Sequence, residues 1–451
     1  MPKAGFFVKD VTPERPVYLA GYPSRRTPSE GVDDPLFLRI LALEDDRGSR
    51  AVLVTADLLK CPRALTWRTK MWAEKTLGLP SAALMVNLSH SHCVPALAHQ
   101  SCYPHWALDV DYVREFECSV REGIRAALGD LQPVRIRYGC HEAHFGVNRR
   151  CPDPERPGRV VKMRPNPEGC YDPDLPLFTF HRVADERLLG VLFSYGCHPT
   201  SKGGNRVSAD YPGELSRALK ETFGGEVVTL FAQGAGGSVM PRWRCRTDEE
   251  RRVYRDRWHA AAADMSRAIQ SGSRMREIVP ALTVSEREFG IPYDRRQLLS
   301  PDELLYYADP AEPPIERVVR PASRQILRLW ANTILEQLRT GSLPEAYRAH
   351  VTCWKLTADL QVVGLSGEVT AELGRLIKND QAQRETVFLG YCGYTDAYLP
   401  TASMLPEEGH EALCSIFFHE RPAPFVEKID NVVLSEVRAA CSETSGNHFE
   451  D

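Results

Sequence analysis

Residues 82–92 read AALMVNLSHSH, and the fold that we predict starts from this stretch. Ala82–Leu88 is apolar and short, which fits a buried strand better than a helix, and it runs directly into His90 and His92. Two later apolar strands end in the same way, Leu188–Tyr195 before His198 and Leu360–Leu365 before Glu368. Because ligands of open α/β sheets collect beyond the carboxyl ends of strands, we expect these polar residues to share one edge.

Strands and helices alternate along the rest of the chain. Leu65–Leu77, for example, has helical spacing and ends at Gly78 and Pro80. The sequence therefore predicts an α/β fold with a mixed β-sheet core flanked by helices, built as one compact domain over residues 1–451 with loop insertions. The other predicted helices are Asp109–Leu128, most of Glu249–Ile278, Arg324–Leu338 and Val369–Lys378, and the other predicted strands are Phe37–Leu43, Ala51–Thr55, Val134–Tyr138, Val227–Phe231, Ala281–Phe289 and Val387–Gly390.

Two segments interrupt this alternation. Asn148–Asp174 is rich in Pro, Arg and Gly, and either a binding loop or a surface insertion fits that composition. Its arginines, from Arg149 to Arg164, could meet an acidic substrate or could be solvated loop charge. The second insertion covers approximately residues 289–322. Its charged, proline-bearing part near Arg295–Pro321 is where we expect a subunit contact if the chain is a homo-oligomer.

Composition favours a small-molecule partner. The chain has 451 residues, 43% hydrophobic and 26% charged, and its net charge of -4 gives no general attraction for nucleic acid or an anionic membrane. The N-terminal residues lack a signal-like apolar run and no eighteen apolar residues are consecutive, so we expect a cytoplasmic protein without a transmembrane segment. The 13 cysteines are scattered without a CxxC pair, which argues against a disulfide framework.

The polar residues at the strand ends are candidates for a metal site. His90 and His92 are two apart, so in extended chain both imidazoles point to one side, although surface or core histidines are the alternative. His198 is followed by Pro199, and Glu368 either faces the same sheet edge or caps the next helix. Two imidazoles, a carboxylate and an exchangeable water suit Zn²⁺. Zinc is therefore the predicted cofactor.

These blocks resemble, in the same order, those of the neutral/alkaline non-lysosomal ceramidases. The resemblance runs from about Gly5 to about Phe425, and the paired-histidine block and the His-Pro-Thr-Ser block are its most specific parts. The blocks read NLSHSHCVP at 87–95, GCHPTS at 196–201, SADYPG at 208–213, FAQ at 231–233, GE at 367–368 and YLPT at 398–401.

The resemblance implies a role for individual residues. It makes His90, His198, Glu368 and Tyr398 the zinc ligands, with Tyr398 also counted among the catalytic residues. His92 would hydrogen-bond the substrate or the attacking water. Arg149 would steady the carbonyl oxygen or a product carboxylate, and Gly21 would contact the substrate through its backbone.

Three departures accompany the resemblance. Met240 stands where the ceramidase pattern has a serine, so no hydroxyl is available there. His410 takes the position of a downstream tyrosine of the family. The chain ends at Asp451 and begins without a signal-like apolar run, so we expect neither the C-terminal immunoglobulin-like domain nor the secretion signal of the family.

Together these features predict a zinc-dependent amidohydrolase that cleaves a C–N amide bond other than a peptide bond with a metal-activated water. The substrate would be a small-molecule amide, and His92 or His410 would protonate the departing amine. An esterase, lactonase or aminopeptidase using the same site, and a non-catalytic ligand-binding relative, remain alternatives. Asp57 would orient a ligand histidine or cap a helix, and Asp210 would tether the His198 loop or cap the helix that follows.

Overall fold

The computed structural model describes residues 1–99, 107–161, 163–245, 247–309 and 324–443. The strands in these ranges are β1 Lys3–Asp10, β2 Phe37–Glu44, β3 Arg50–Ala56, β4 Leu84–Leu88, β5 Gln132–Glu142, β6 Gly146–Asn148, β7 Cys151–Pro152, β8 Val160–Val161, β9 Asp174–Arg182, β10 Leu188–Tyr195, β11 Val228–Gln233, β12 Val239–Pro241, β13 Arg276–Ile278, β14 Thr283–Pro292, β15 Ala346–Lys355, β16 Leu360–Leu365, β17 Glu368–Val369, β18 Glu385–Leu389 and β19 Tyr398–Leu399. The helices are α1 Arg63–Leu77, α2 Val110–Gly129, α3 Asp210–Phe223, α4 Asp248–Ser271, α5 Pro301–Ala308, α6 Arg324–Thr340, α7 Ala371–Asp380, α8 Ser415–Phe418 and α9 Ile429–Ser442.

Two mixed sheets form the centre of the molecule. The larger has the order β11-β10-β9-β5-β1-β2-β3-β4, with β13 added beside β5, and the smaller has the order β14-β15-β16-β18. The parallel neighbours are β3 with β4, β10 with β11 and β16 with β18, and each pair is joined through a helix, α1, α3 or α7. The predicted α/β fold with a mixed sheet core is therefore confirmed.

The two sheets pack face to face and helices cover their outer faces. In β2, Leu38 and Ile40 pack against α1 and α2, whereas Leu41 points to the opposite face and meets Trp354 and Val362 of the smaller sheet. This division follows from the two-residue period of a strand. Helices α3 and α4 pack beside β10, and α7 and α9 cover the outer face of the smaller sheet.

The structure confirms one predicted element and corrects another. The helix predicted to fill most of Glu249–Ile278 is α4, which ends at Ser271 because Gly272 adopts a left-handed φ of 63°, and the chain then enters β13. Asn148–Asp174 was predicted to be irregular, but β7 and β8 pair within it and Val160 donates its amide to the carbonyl of Glu407. This loop is therefore attached to a later segment of the chain.

The second insertion has an internal packing of its own. Residues 310–322 of the predicted region lie outside the described ranges, but α5 and α6 on either side of them form a small apolar cluster with α8. Trp330 of α6 lies edge-on to Phe417 of α8, with 4.9 Å between ring centroids. Among the described residues, no helix combines the length and the apolar character needed to cross a bilayer.

Candidate metal centre

His90 is positioned by the sharp turn that follows β4. Its φ is 67°, its amide donates to the carbonyl of Leu58, and its Nδ1 lies 2.9 Å from the carbonyl oxygen of Leu59. The predicted extended conformation of the His90–His92 segment is therefore wrong, because the chain turns at His90. The two imidazoles nevertheless converge, with 5.0 Å between their centroids.

His198 follows β10 and is fixed by hydrogen bonds of its backbone amide and of its ring nitrogen Nδ1. Its amide donates to Val239, and its Nδ1 lies 2.6 Å from the carbonyl oxygen of Gly236. Asp210 accepts hydrogen bonds from the backbone amides of Ser201 and Lys202, so the predicted tether of the His198 loop is confirmed. The Nε2 atom of His198 is thereby directed toward Glu368 and Tyr398.

Glu368 and Tyr398 lie directly opposite each other in the short parallel pair β17 and β19. The alternative that Glu368 caps a helix is not observed, because the residue preceding α7 is Thr370 and the Glu368 carboxylate faces the histidines. One carboxylate oxygen, Oε2, is 3.2 Å from Nε2 of His90 and 3.1 Å from Nε2 of His198. The Tyr398 hydroxyl is 3.2 Å from the same His198 nitrogen.

Three separations among these four donor atoms fit a zinc ion. Donors about 2.0–2.1 Å from a tetrahedral Zn²⁺ lie about 3.3 Å from one another, close to the separations observed here. Both histidines bind a backbone carbonyl through Nδ1, an arrangement typical of imidazoles that bind a metal through Nε2. His90, His198, Glu368 and Tyr398 are all at most 6% exposed. The donor set is therefore buried, oriented and of suitable chemistry.

His92 adds a further donor to this cluster. The ligating atoms of His90, His92 and His198 lie within 4.8 Å of one another. Both ring nitrogens of His92 are buried and have no hydrogen-bond partner among the described residues. Because buried polar atoms are normally paired, these nitrogens are available to a water, a substrate or a metal in the cavity.

Burial and the neighbouring charges set the ionisation of the cluster. Burial lowers the pKa of His198 to about 4, and the charge of Arg149 acts in the same direction, so its imidazole is neutral near pH 7. Burial would raise the pKa of Glu368, but His90 and His198 outweigh it and hold that pKa well below its usual value. Burial, followed by the charge of Glu368, raises the pKa of the Tyr398 phenol. A neutral imidazole beside an ionised carboxylate is the form that binds a cation.

The cluster opens into a cavity of about 370 Å³. The predicted residues His90, His92, Glu368 and Tyr398 line it, as do Gly21, Arg149, Met240 and His410, whereas His198 lies just behind the wall. Gly21 approaches His92 so closely that a Cβ atom on Gly21 would lie 2.6 Å from the His92 Cβ. The structure thus brings the predicted residues together around one space.

Arg149 is held rigidly at the wall of the cavity. Its Nε donates to Glu411 at 2.8 Å and its Nη2 donates to the Tyr398 hydroxyl at 3.2 Å. Burial alone would raise the pKa of Glu411, but Arg149, His410 and Arg150 together lower it to about 2. The ring of His410 lies edge-on to Tyr398, with 5.0 Å between centroids.

Three residues of the site were missed by the sequence analysis. Tyr391 packs its ring 4.7 Å from that of His90, and its position directly after the predicted strand Val387–Gly390 was a usable signal. His419 lies 3.7 Å from Oε1 of Glu368, beyond direct hydrogen-bond distance, and nothing in its local sequence marks it. Arg25 donates to the carbonyls of Ala20 and His92 and so joins the Gly21 loop to the histidine block.

Asp57 has neither of its predicted roles. Its carboxylate accepts hydrogen bonds from the Arg39 guanidinium at 2.8 Å and from the backbone amide of Phe37 at 2.9 Å. A buried carboxylate requires such a partner, and Arg39 on the adjacent strand supplies it. Asp57 therefore stabilises the strand pair β2 and β3 instead of orienting a histidine.

Comparisons with known proteins relate this geometry to solved structures. No family model matches the chain, and no curated protein matches it. The crystal structure of neutral ceramidase from Pseudomonas aeruginosa is similar with a TM-score of 0.71 and 18% identity, over 99% of this chain and 76% of that one. A ceramidase complexed with C2 is similar with a TM-score of 0.70 and 17% identity, over 99% and 77%. The chain therefore has the fold of these ceramidases.

Proposed function

We propose that this protein is a zinc-dependent hydrolase that cleaves a carbon–nitrogen amide bond in a small molecule. The observation that carries the proposal is the convergence of His90, His198, Glu368 and Tyr398, with three donor-atom separations of 3.1–3.2 Å that suit a tetrahedral zinc site. The fold shared with ceramidases, which are amide hydrolases, supports the choice of an amide. When bound, zinc would supply Lewis acidity that polarises a water molecule and the substrate carbonyl.

Arg149 and Gly21 have separate roles in the proposed reaction. Arg149 keeps its charge, since Tyr398 and Glu411 raise its pKa against the opposing effect of burial, and its fixed guanidinium stabilises negative charge on the carbonyl oxygen. One such preorganised donor contributes roughly 3–4 kcal/mol to lowering the barrier in hydrolases. Gly21 leaves room for the substrate beside His92.

The leaving amine requires a proton. His92 and His410 both line the cavity, and His92 has two ring nitrogens without protein partners in the described chain. A neutral imidazole can accept a proton from the attacking water and pass it to the departing nitrogen. Met240, in the position of the family's serine, lines the same cavity and offers no hydroxyl, so the proposed reaction uses no serine at this position.

Metal content and product analysis test this function. His90→Ala and His198→Ala are expected to lose stoichiometric zinc, measured by elemental analysis, together with release of free amine from N-acyl amines. His144→Ala is the control, because His144 is exposed and its contacts with Tyr171 and Glu142 lie outside the site. His92→Ala should retain zinc but lose activity if His92 acts on the substrate. Normal zinc content and turnover in both ligand variants would refute the proposal.

The same assay separates the alternatives. A preference for esters or lactones over matched amides would identify an esterase or lactonase, because metal-assisted hydrolysis does not by itself choose between these bonds. A wild-type chain that takes up no zinc would favour the non-catalytic relative. Free amine as the product, in a zinc-dependent reaction, is the outcome expected here.

A further inference from the structure

Glu411 does not line the cavity, and yet it is bound to the arginine at the cavity wall. Its side chain is 2% exposed. One carboxylate oxygen, Oε1, accepts a hydrogen bond from Nε of Arg149 at 2.8 Å, and the other, Oε2, accepts one from Nη1 of Arg150 at 2.8 Å. A substrate in the cavity therefore does not meet this carboxylate, and Glu411 can act on a reaction only through the arginines.

The orientation of the Arg149 guanidinium is set by two of its nitrogens. Nε is bound to Glu411, and Nη2 donates to the Tyr398 hydroxyl at 3.2 Å. Because the guanidinium is planar and rigid, two fixed nitrogens also fix the direction of the third. Among the described residues, no acceptor binds Nη1, and Arg149 lines the cavity. Nη1 is therefore the nitrogen that is left for an oxygen of the substrate.

Glu411 is in turn held by Arg150 on the side away from Arg149. Arg150 donates through Nη2 to Glu407 at 2.8 Å, and its backbone amide donates to Oδ1 of Asn148 at 2.7 Å. The Glu407 side chain is 43% exposed, so this pair extends to the surface. A buried carboxylate between two guanidiniums has a fixed position, because both of its oxygens are bound.

The other arginines of the basic run singled out in the sequence do not reach the site. Arg159 pairs with Glu408, and Arg156 pairs with Asp153. These guanidiniums attach the loop to itself and to the segment before α8. Of the described arginines in this run, Arg149 alone lines the cavity.

The turn His410–Cys414 brings Glu411 to Arg149. It is a π-helical turn, a wide and rare form that often occurs at functional sites. His410, at its start, lines the cavity, and its ring centroid is 5.0 Å from that of Tyr398. Two consecutive residues of this turn therefore contact the two members of the hydrogen-bonded pair Arg149 and Tyr398.

We infer that Glu411 is a positioning residue of the hydrolase, which holds the Arg149 guanidinium so that Nη1 is directed to the carbonyl oxygen of the substrate. This inference rests on the proposed function and adds a residue to it. Negative charge on that oxygen develops in the transition state, so loss of the orientation should lower kcat more than it changes KM.

Two variants that each remove one carboxylate from Arg150 test this role. Release of benzylamine from N-hexanoylbenzylamine by the zinc-loaded full chain measures the reaction. Glu411→Gln is expected to lower kcat at least tenfold, with KM changed less than threefold and zinc content normal. Glu407→Gln is the matched control, because Glu407 pairs with Arg150 and not with Arg149, and it should leave kcat unchanged.

A double variant separates positioning from a general structural effect. If Glu411 acts through Arg149, the variant with both Arg149→Gln and Glu411→Gln should be no slower than Arg149→Gln alone, because the group that Glu411 orients is already missing. Losses that multiply in the double variant, or an unchanged kcat in Glu411→Gln, would overturn the inference and leave the hydrolase standing.

Guanidinium ion provides a measurement that requires no cleavage. Arg149→Ala keeps Glu411 paired with Arg150, so this variant should fold even if Glu411→Gln does not. Guanidinium should bind Arg149→Ala at least tenfold more tightly than methylammonium in calorimetric titration, because only guanidinium has the planar fork that matches a carboxylate. Binding should disappear when Glu411→Gln is added.

The outcomes distinguish this inference from the proposed reaction. Selective binding of guanidinium, together with a wild type that cleaves no N-acyl amine, would support the hold of Glu411 on this position and contradict the hydrolase. Cleavage by the wild type without selective binding of guanidinium would overturn the inference alone. Neither cleavage nor selective binding would overturn both.

Discussion

Gly21 and His92 show how closely single residues are fitted in the site. Gly21 has a φ of 97°, in the left-handed region that favours glycine, and the space for its side chain is taken by the backbone and ring base of His92. Neither fact is readable from the sequence, where Gly21 is only a glycine before a tyrosine. Backbone strain and crowding act together at this position.

We therefore expect Gly21→Ala to displace His92 and to reduce kcat/KM at least tenfold while zinc content stays normal. Gly48→Ala is a matched control, because Gly48 has a similar φ of 85° but no atom within 4 Å of the added methyl group. The control should show only the backbone cost of about 1 kcal/mol in urea unfolding. Equal activity loss in both variants would show that the contact with His92 is unimportant.

The candidate residues were predictable where they follow strands. His90, His198 and Glu368 each come shortly after an apolar run, and their donor atoms do meet. His419 and Arg244 come from irregular segments, and no strand points them at the cavity. Their positions depend on packing between elements distant in sequence, which a local pattern does not contain.

At the level of elements, Asn87 joins the ends of three strands. From β4, its amide nitrogen donates to the carbonyls of Gln233, at the end of β11, and Gly390, after β18, and its oxygen accepts from the Gln233 amide. This side chain is completely buried. It therefore connects the two sheets immediately beneath the turn that carries His90.

Replacement of Asn87 by alanine should leave two carbonyls and one amide without this partner. We expect a loss of at least about 3 kcal/mol in the free energy of unfolding, because three buried groups lose this partner and each costs about 1–3 kcal/mol. Asn205→Ala serves as the comparison, since the Asn205 amide bonds only the nearby Thr27–Pro28 loop. A loss for Asn87→Ala no greater than that of Asn205→Ala would contradict this account.

Helix α6 supports the cavity wall from outside. Trp330 packs on Phe417 and donates its Nε1 to the carbonyl of Arg421, two contacts that flank Phe418 and His419 in the wall. The sequence predicted the helix Arg324–Leu338 but not its partner, because α8 has only four residues and no periodic pattern.

Trp330→Phe keeps an aromatic ring against Phe417 but removes the hydrogen bond to Arg421. We expect KM for the best substrate to rise severalfold, with zinc content unchanged, since none of the proposed ligands belongs to this cluster. Trp67→Phe is a suitable control, because Trp67 contacts His350 away from the cavity. Loss of zinc in Trp330→Phe would show instead that the helix pair supports the metal centre.

At the scale of the whole molecule, a cluster of buried charged residues connects helix α1, which packs on the larger sheet, to the smaller sheet. Glu286 of β14 binds Lys70 of α1 and lies 2.9 Å from Nε2 of His350 on β15. Burial opposes ionisation of Glu286, but His350 and Lys70 prevail and lower its pKa to about 2.

A carboxylate whose folded pKa is below its unfolded value stabilises the protein above the unfolded pKa. The contribution of Glu286 should therefore be complete above about pH 4.5 and disappear as the pH falls toward 2, with an upper limit of about 3 kcal/mol. Urea unfolding at pH 7 and pH 3 should show a smaller acid-induced loss for Glu286→Gln than for wild type. Equal losses would exclude this cluster as a source of acid sensitivity.

Removal of the proposed metal should also lower the stability of the whole molecule. The proposed ligands follow strands of both sheets, so a bound ion would join the two halves, and binding to the folded state alone adds about 4 kcal/mol when free metal is 1,000 times its Kd. A chelator is expected to lower the Tm of wild type and to leave that of His198→Ala unchanged. A chelator effect of equal size in both would point to a different metal site.

The α5–α6 pair packs on α8 behind the cavity wall, whereas the strand-end loops line the cavity directly. The loops after β4, β10 and β16 carry proposed metal ligands, whereas the helix pair contacts the cavity wall through α8. The helical insertion could therefore be redesigned or replaced to admit molecules of a different shape, while the residues of the strand-end loops stay unchanged. In evolution, the same separation would let related proteins change substrate specificity while keeping the same site residues.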